Sequence, residues 1–492
     1  MKCLKILCVI ALVFAFSAVA FAETQSVKVS GDITMRAFAR NHYNLAADQD
    51  TPNAALTTSR SSTSWATYLL STAEVQVDAD LTDNVAGVIR LVNQRIWGDN
   101  NYVSDNATAY TPELMDINSN GLAITRTVTG ADDAFAVDVD LAYIELKEFL
   151  YSPLTVKIGR QDLWFGNGFV VGAQFTEPRN TIYPKEYTAI LSFDAARLTF
   201  DFDPLTIDAV YAKISENARR ADDDVNLWGV NVGYVFDGYN ADMEGYFWAK
   251  QDRNPGLTSL ANFGSTSSTG NIIDNSIYLF GARGSIDPIE DLTLGLEAAY
   301  QTGQYLGLAN QAVKRTRSAW AVNAIAESRY FQEKLAWKPV IGMEYILYSG
   351  AQDQGDNLTG VYQSDTYTGW DIMYRGKFVT AIREFQNVFY QTNQAGPAAF
   401  TNQQQILARA MVEPMDDLTV KGVYSHFWLV ERYSRFNTAK NIGDEIDVEL
   451  LWDYTEDVSF SFLAGWFIPG NFYKSPNNKP ATDIVGTVKL SF

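Results

Sequence analysis

Histidine and cysteine are nearly missing from this chain. Among 492 residues the only histidines are His42 and His426, and the only cysteines, Cys3 and Cys8, lie in the first apolar segment. Once that segment is cleaved, the chain has no disulfide, no thiolate nucleophile and no Cys-ligated metal or haem. His42 falls in a polar stretch and His426 between Tyr424 and Trp428, so a His-pair zinc hydrolase lacks its ligands. No G-x-S-x-G elbow serves a serine hydrolase either. The reading is therefore of a protein that is not an enzyme and holds no cofactor and no metal.

Positive charge is also short, with 38 basic residues against 58 acidic and a net charge of −20, which argues against nucleic acid as a partner. The acidic stretches Asp222-Asp223-Asp224 and Asp353-Gln354-Gly355-Asp356 lack the spacing of a calcium loop. They read as solvated loops or as sites where divalent cations bridge to lipopolysaccharide. Beyond the first apolar segment no run of 18 apolar residues exists, so no helix is expected to cross a membrane. A barrel strand shows only one apolar side to lipid, so the membrane itself stays open.

What is present starts with a leader. Lys2 and Lys5 precede an apolar run from Ile6 to Phe16, and Ala20-Phe21-Ala22 offers the small residues a signal peptidase needs before Glu23. Residues 1–22 are expected to be removed, leaving a single domain, 23–492, outside the cytoplasm.

Period-two patterns then mark strands at 26–38, 66–80, 85–97, 135–147, 154–162, 188–201, 205–213, 225–236 and 241–250. They continue at 275–287, 291–302, 317–331, 336–349, 404–414, 417–430, 443–454, 457–467 and 482–492. That makes eighteen, or sixteen if the first pair is misread. Connections alternate between short ones of two to six residues and long segments, the longest at 98–134, 163–187, 251–274 and 350–403. Short turns on one rim and long loops on the other are the rhythm of an all-β, antiparallel transmembrane barrel in the outer membrane. An even strand number leaves both ends on the short-turn rim.

The alternation also assigns faces. From Val225 to Phe236, residues Trp228, Val230, Val232, Tyr234 and Phe236 share one side; from 444 to 454, Ile446, Val448, Leu450 and Trp452 point to lipid and Glu445, Asp447 and Glu449 inward. Three carboxylates on one face do not suit a dry core and point to a wetted lumen. Tyr300, Tyr330, Tyr348, Trp428, Trp452 and Trp466 at strand ends are expected to form interfacial girdles. In the longest connection, Trp370, Ile372, Tyr374, Phe378 and Phe385 want cover, so 350–403 is expected to fold partly into the mouth or lumen.

The segment Lys157-Ile158-Gly159-Arg160-Gln161-Asp162-Leu163-Trp164-Phe165-Gly166-Asn167-Gly168-Phe169-Val170-Val171-Gly172 resembles the Gly-Arg-Gln strand and Gly-rich loop of the alginate-export outer-membrane porin family. Phe193-Asp194-Ala195-Ala196-Arg197-Leu198, Gly443-Asp444-Glu445-Ile446-Asp447 and Phe467-Ile468-Pro469-Gly470 are similar to its later strands and last long loop. The resemblance covers roughly residues 150–492. It implies an 18-stranded monomer that conducts solute through an arginine-lined constriction, gated by long loops or a short periplasmic turn. It carries over Arg160, Gln161, Asp194, Arg197, Glu445 and Asp447. Arg160 shares parity with Val156 and Ile158, so it needs either a bulge near Gly159 or a place beyond the lipid band, as a rim cation meeting lipid phosphate.

Parity places a constriction in which Arg197, Arg283, Arg329 and Arg409 oppose Glu327, Glu344, Glu445 and Asp447, with Glu449 beside them. Inward acidic positions outnumber basic ones, which points to weak cation preference and away from a polyuronate. The expected function is a passive channel for small hydrophilic solutes or saccharides, an exported polysaccharide among them. The alternative is a surface-binding barrel that displays 98–134, 251–274 and 350–403. Expected partners are outer-membrane lipids, lipopolysaccharide and the barrel-assembly machinery.

Overall fold

The computed structural model describes residues 26–43, 45, 66–97, 115–117, 123–125, 137–151, 153–173, 182–185, 192–216, 224–252, 276–307, 313–352, 365–376, 379–389, 401–435, 437–475 and 478–492. The expected leader, most of 98–134, residues 253–274, Phe378 and both acidic stretches apart from Asp224 lie outside the described residues.

Alternating side chains fold the chain into β1 (Ser26–Asn41), β2 (Ala66–Thr82), β3 (Val85–Ile96), β4 (Asp138–Leu146), β5 (Leu154–Gln161), β6 (Phe193–Asp201), β7 (Leu205–Ser215), β8 (Val225–Phe236) and β9 (Ala241–Asp252). The second half supplies β10 (Ile277–Ile289), β11 (Leu292–Gly307), β12 (Val313–Ser328), β13 (Val340–Tyr348), β14 (Gln403–Met415), β15 (Leu418–Leu429), β16 (Asn441–Asp453), β17 (Val458–Pro469) and β18 (Ala481–Ser491). Each pairs antiparallel with the next, and β18 returns to β1 with Asp32 opposite Ser491 and Asn41 opposite Thr482. The result is a closed barrel of eighteen strands, to which the two-residue strand Thr366–Tyr367 adds in parallel on β12. The sixteen-stranded alternative falls, because β1 and β2 pair from Ser26–Asp80 to Arg40–Ala66. Closure gives the strand backbones partners within the sheet, the condition for standing in hydrocarbon.

The faces follow the sequence parity. On β16 Ile446, Val448, Leu450 and Trp452 are exposed while Glu445, Asp447 and Glu449 are buried. On β8 Trp228, Val230, Val232 and Tyr234 are exposed and Asn231 is buried. An apolar side chain open on the outside of a closed barrel faces lipid, so the protein spans the outer membrane. Tyr300, Tyr330, Trp452 and Trp466 are exposed near strand ends, where amphipathic rings meet headgroups. Tyr348 departs from that expectation: it shares parity with Glu344 and Ile346, turns inward, and stacks on Phe169 with ring centres 5.4 Å apart.

The first described strand meets the last near the short-turn rim, where Gly31 and Phe492 exchange backbone hydrogen bonds at 3.0 Å. The opposite rim sends two connections inward, loop 3 (residues 162–192) and loop 7 (residues 349–402). Loop 7 carries helix α1 (Ile382–Phe389). The buried apolar core lies where these loops meet the inner wall: Phe165, Phe169, Trp370, Ile372, Tyr374 and Phe385 pack with Trp248, Leu279 and Tyr348.

Candidate functional site

The inner wall offers charged side chains at every second position, and the loops decide which stay open to solvent. Loop 7 crosses the lumen in steps. Arg317 Nη1 donates to Gly369 O at 2.8 Å. Gln301 reads the backbone of Asp371 in both directions, donating to its O at 2.6 Å and accepting from its N at 2.9 Å. Lys250 Nζ lies 3.3 Å from Asp371 Oδ1. Burial pushes the Asp371 carboxyl up, but Lys250, Arg317 and the Met373 N–H outweigh it and hold it below the usual aspartate value. Further along, Arg375 grips Glu384 through two bonds of 2.9 and 3.2 Å, and burial leaves that glutamate above its ordinary value despite the pairing.

Loop 3 runs beside it. Gly166 N donates to Glu244 Oε2 at 3.2 Å, Arg283 Nε to Asn167 Oδ1 at 3.2 Å, and Phe165 packs on Trp248 at 4.9 Å. The loops are joined backbone to backbone: Tyr374 N to Val170 O and Gly172 N to Tyr374 O, both 2.9 Å, and Gly376 N to Gly168 O at 3.0 Å. A Cβ at Gly376 would overlap the Gly172 carbonyl, so the crossing needs glycine there. Residues 182–185 of loop 3 reach the far wall, where Ile182, Val340, Met411 and Val423 with Glu327, Arg409 and Lys421 line a small pocket.

The predicted constriction residues sort into local groups. Arg409 meets Glu327 at 2.8 Å and Glu344 at 3.7 Å, and Arg329 meets Glu327 at 2.6 Å, so four of them form one network on β12 to β14. Arg283 pairs with Asp242 and with Glu244, and Arg197 with Asp208 at 2.8 Å. These bridges run along the wall between residues at most two strands apart, not across the lumen. Glu445, Asp447 and Glu449 face inward as expected but are fully enclosed. Their partners are loop backbone and lysines, where their spacing suggested an open wetted lumen.

The family-motif residues divide across the wall. The register past Gly159 is unbroken, with Arg160 opposite both Asp194 and Ala142. The bulge is absent, and Arg160 stays on the outer parity, 3.6 Å from an exposed Asp194. Gln161 turns inward and donates to Ala195 O at 2.9 Å. His426 lies on the outer parity too, 2.9 Å from Asp444.

Sequence reasoning missed Arg40, Lys185, Asp371, Arg375, Arg383 and Glu384, all buried. Arg40 was findable: the alternation Arg36, Phe38, Arg40 continues past the expected end of the strand, and its guanidinium lies 4.7 Å from the Phe38 ring centre and 3.1 Å from Asp483. The loop residues carried no periodic signal.

A closed eighteen-stranded barrel with inward-folded loops and a charged inner wall is the architecture of an outer-membrane porin. Residues 67–487 match the family model described as alginate export, and the chain belongs to that family, one of transport and not of catalysis. Among solved structures it is similar to OccAB1 of Acinetobacter baumannii (11% identity, TM-score 0.52, covering 96% of this chain and 98% of that one). OccAB4 of the same organism (10%, 0.51, 96% and 100%) and OpdL of Pseudomonas aeruginosa (11%, 0.50, 95% and 99%) are comparable. At such identity the likeness is one of fold. No curated protein matches the chain.

Proposed function

We propose that the barrel is a passive channel for small hydrophilic solutes or saccharides, an exported polysaccharide among them. One observation carries this reading. Inside the barrel, beside the crossing loops, the side chains of Arg197, Arg283, Asp242 and Glu244 keep 27, 17, 38 and 19% of their surface open. Charges left open inside a lipid-facing cylinder line water, and a water path beside narrowing loops is how a porin sieves solutes. Arg160 lies off this path and Glu344 is enclosed, while Arg197, Arg283, Arg329 and Arg409 with Glu327 remain the proposed lining.

With the β16 carboxylates enclosed, open cations and anions nearly balance, and each has a partner within a Debye length. Selectivity should therefore be weak. A surface-binding barrel would display residues 350–403 outward, whereas Trp370, Tyr374 and Phe385 are buried inside. The channel acts as a monomer among lipopolysaccharide and is inserted by the barrel-assembly machinery. Planar-bilayer recording of the refolded protein in asymmetric salt tests the reading: discrete steps with a reversal potential near zero are expected. A folded barrel that gives no steps refutes it.

A further inference from the structure

Three successive inward positions on β16 do different work from the rest of the wall. Glu445 accepts the N–H of Ile382 at 2.6 Å on Oε1 and that of Arg383 at 2.9 Å on Oε2, and Asp447 Oδ2 accepts the N–H of Ala381 at 3.2 Å. These donors open α1. They are groups a helix cannot bond within itself, and the dipole at that end favours a carboxylate. Two residues further, Glu449 holds Lys185 of loop 3 at 2.5 Å and Lys421 of β15 at 3.3 Å. One strand face thus grips both loops, loop 7 through its backbone and loop 3 through a cation. At the far side Lys250 and Gln301 hold Asp371, and between these ends the loops are bonded to each other at Val170 and Tyr374. The assembly is a bridge fixed at both ends, and a bridge freed at one end swings.

We infer that Glu445, Asp447 and Glu449 are positioning residues for transport: by clamping loops 3 and 7 to β16 they set the width of the passage, and they are not its charge filter. The inference rests on the channel reading above. Its two consequences separate from a simple structural role. Releasing the clamp changes conductance levels and their lifetimes while ion preference stays, because the enclosed carboxylates face loop and not solute. Releasing it also exposes Arg375 and Arg383, both buried in the intact bridge.

The experiment uses the full chain refolded in detergent, with barrel folding confirmed by compact migration of the unheated protein. Variants are Glu445→Gln with Asp447→Asn, Lys185→Met, and the exchange of Lys185→Glu with Glu449→Lys, made together with Lys421→Met so that no like charge is left beside position 449. Losing hydrogen bonds to a charged group should raise the population of the wide level roughly ten- to a hundredfold. The first two variants should therefore flicker to a larger conductance at unchanged reversal potential, and trypsin should cut after Arg375 or Arg383 in the folded barrel. The exchange, which rebuilds the ion pair in reverse, should restore the wild-type trace. A shift of reversal potential toward anions at unchanged conductance levels would make these residues the filter and overturn the inference, as would an exchange that fails to rescue. If no protein conducts but trypsin still distinguishes the variants from wild type, the channel reading fails and the clamp stands. If trypsin does not distinguish them, the clamp fails.

Discussion

Strand β16 and loop 7 touch along α1, yet different forces placed their residues. From Glu445 to Leu450 of β16 apolar side chains exposed to lipid alternate with acidic, enclosed ones, a pattern imposed by a pleat with a period of two residues. In loop 7 every residue from Trp370 to Tyr374 is buried with no alternation of buried and exposed positions, because each is placed by a partner distant in sequence. The wall is held by a ladder that closes on itself. The bridge is held by a few polar contacts in a lumen where water is a ready substitute, so it is the part that yields first.

Removing the bridge gives the largest contrast. Deletion of 365–389 should leave the barrel folded and raise single-channel conductance several-fold; an unchanged conductance with an unchanged fold would place the loop outside the path. The converse change attacks the wall alone. Val230 is exposed at the middle of β8, and Val230→Arg should cost about 2–4 kcal/mol of barrel stability near the bilayer midplane. The denaturation midpoint in liposomes reads this, and conductance should not move. A shift in conductance with no loss of stability would mean that the outer face is not lipid-facing there.

A smaller effect comes from the joint between the loops. Gly376→Ala drives a methyl into the Gly172 carbonyl, and overpacking of this kind costs about 1–3 kcal/mol. Hydrogen exchange should speed up in residues 365–376 and not in the β8 amides. Equal protection in variant and wild type would deny that the crossing is tight.

The smallest effect is acid release at Asp371. Its folded pKa is depressed below the reference 3.8 by Lys250, Arg317 and the Met373 N–H acting against burial. The stability it lends is therefore fully present above the unfolded value and is lost as pH falls through the folded one. The part of bridge opening that Asp371 controls should rise only as pH falls below the unfolded aspartate value of about 3.9. Asp371→Asn should flatten that rise, and a variant with the same acid response as wild type would remove Asp371 from the mechanism.

How far the candidate site was legible follows the same division. Arg197, Arg283 and Arg409 were placed inside by parity, and each is found there with carboxylate partners. Arg409 meets the expected Glu327 and Glu344, whereas the partners of Arg197 and Arg283 were misjudged, since parity fixes the face but not which neighbour a long side chain reaches. Arg160 shows the limit of the resemblance: the motif was right and the bulge was not, because Gly159 takes a φ of 127° without shifting the register on either side.

Tyr348 makes a similar point. An aromatic at a strand end suits a girdle or a stack on a loop equally well, and its ring went to Phe169 and Trp370.

By itself the sequence determined the eighteen strands, their order and their lipid faces, because water and hydrocarbon sort alternating side chains wherever the strand is, with no need of a particular neighbour. The tertiary structure alone decided that Glu445, Asp447 and Glu449 would hold α1 and Lys185 and not water. A carboxylate accepts from any donor brought within about 3 Å, and which donor arrives depends on how loops far away in the chain cross the finished barrel.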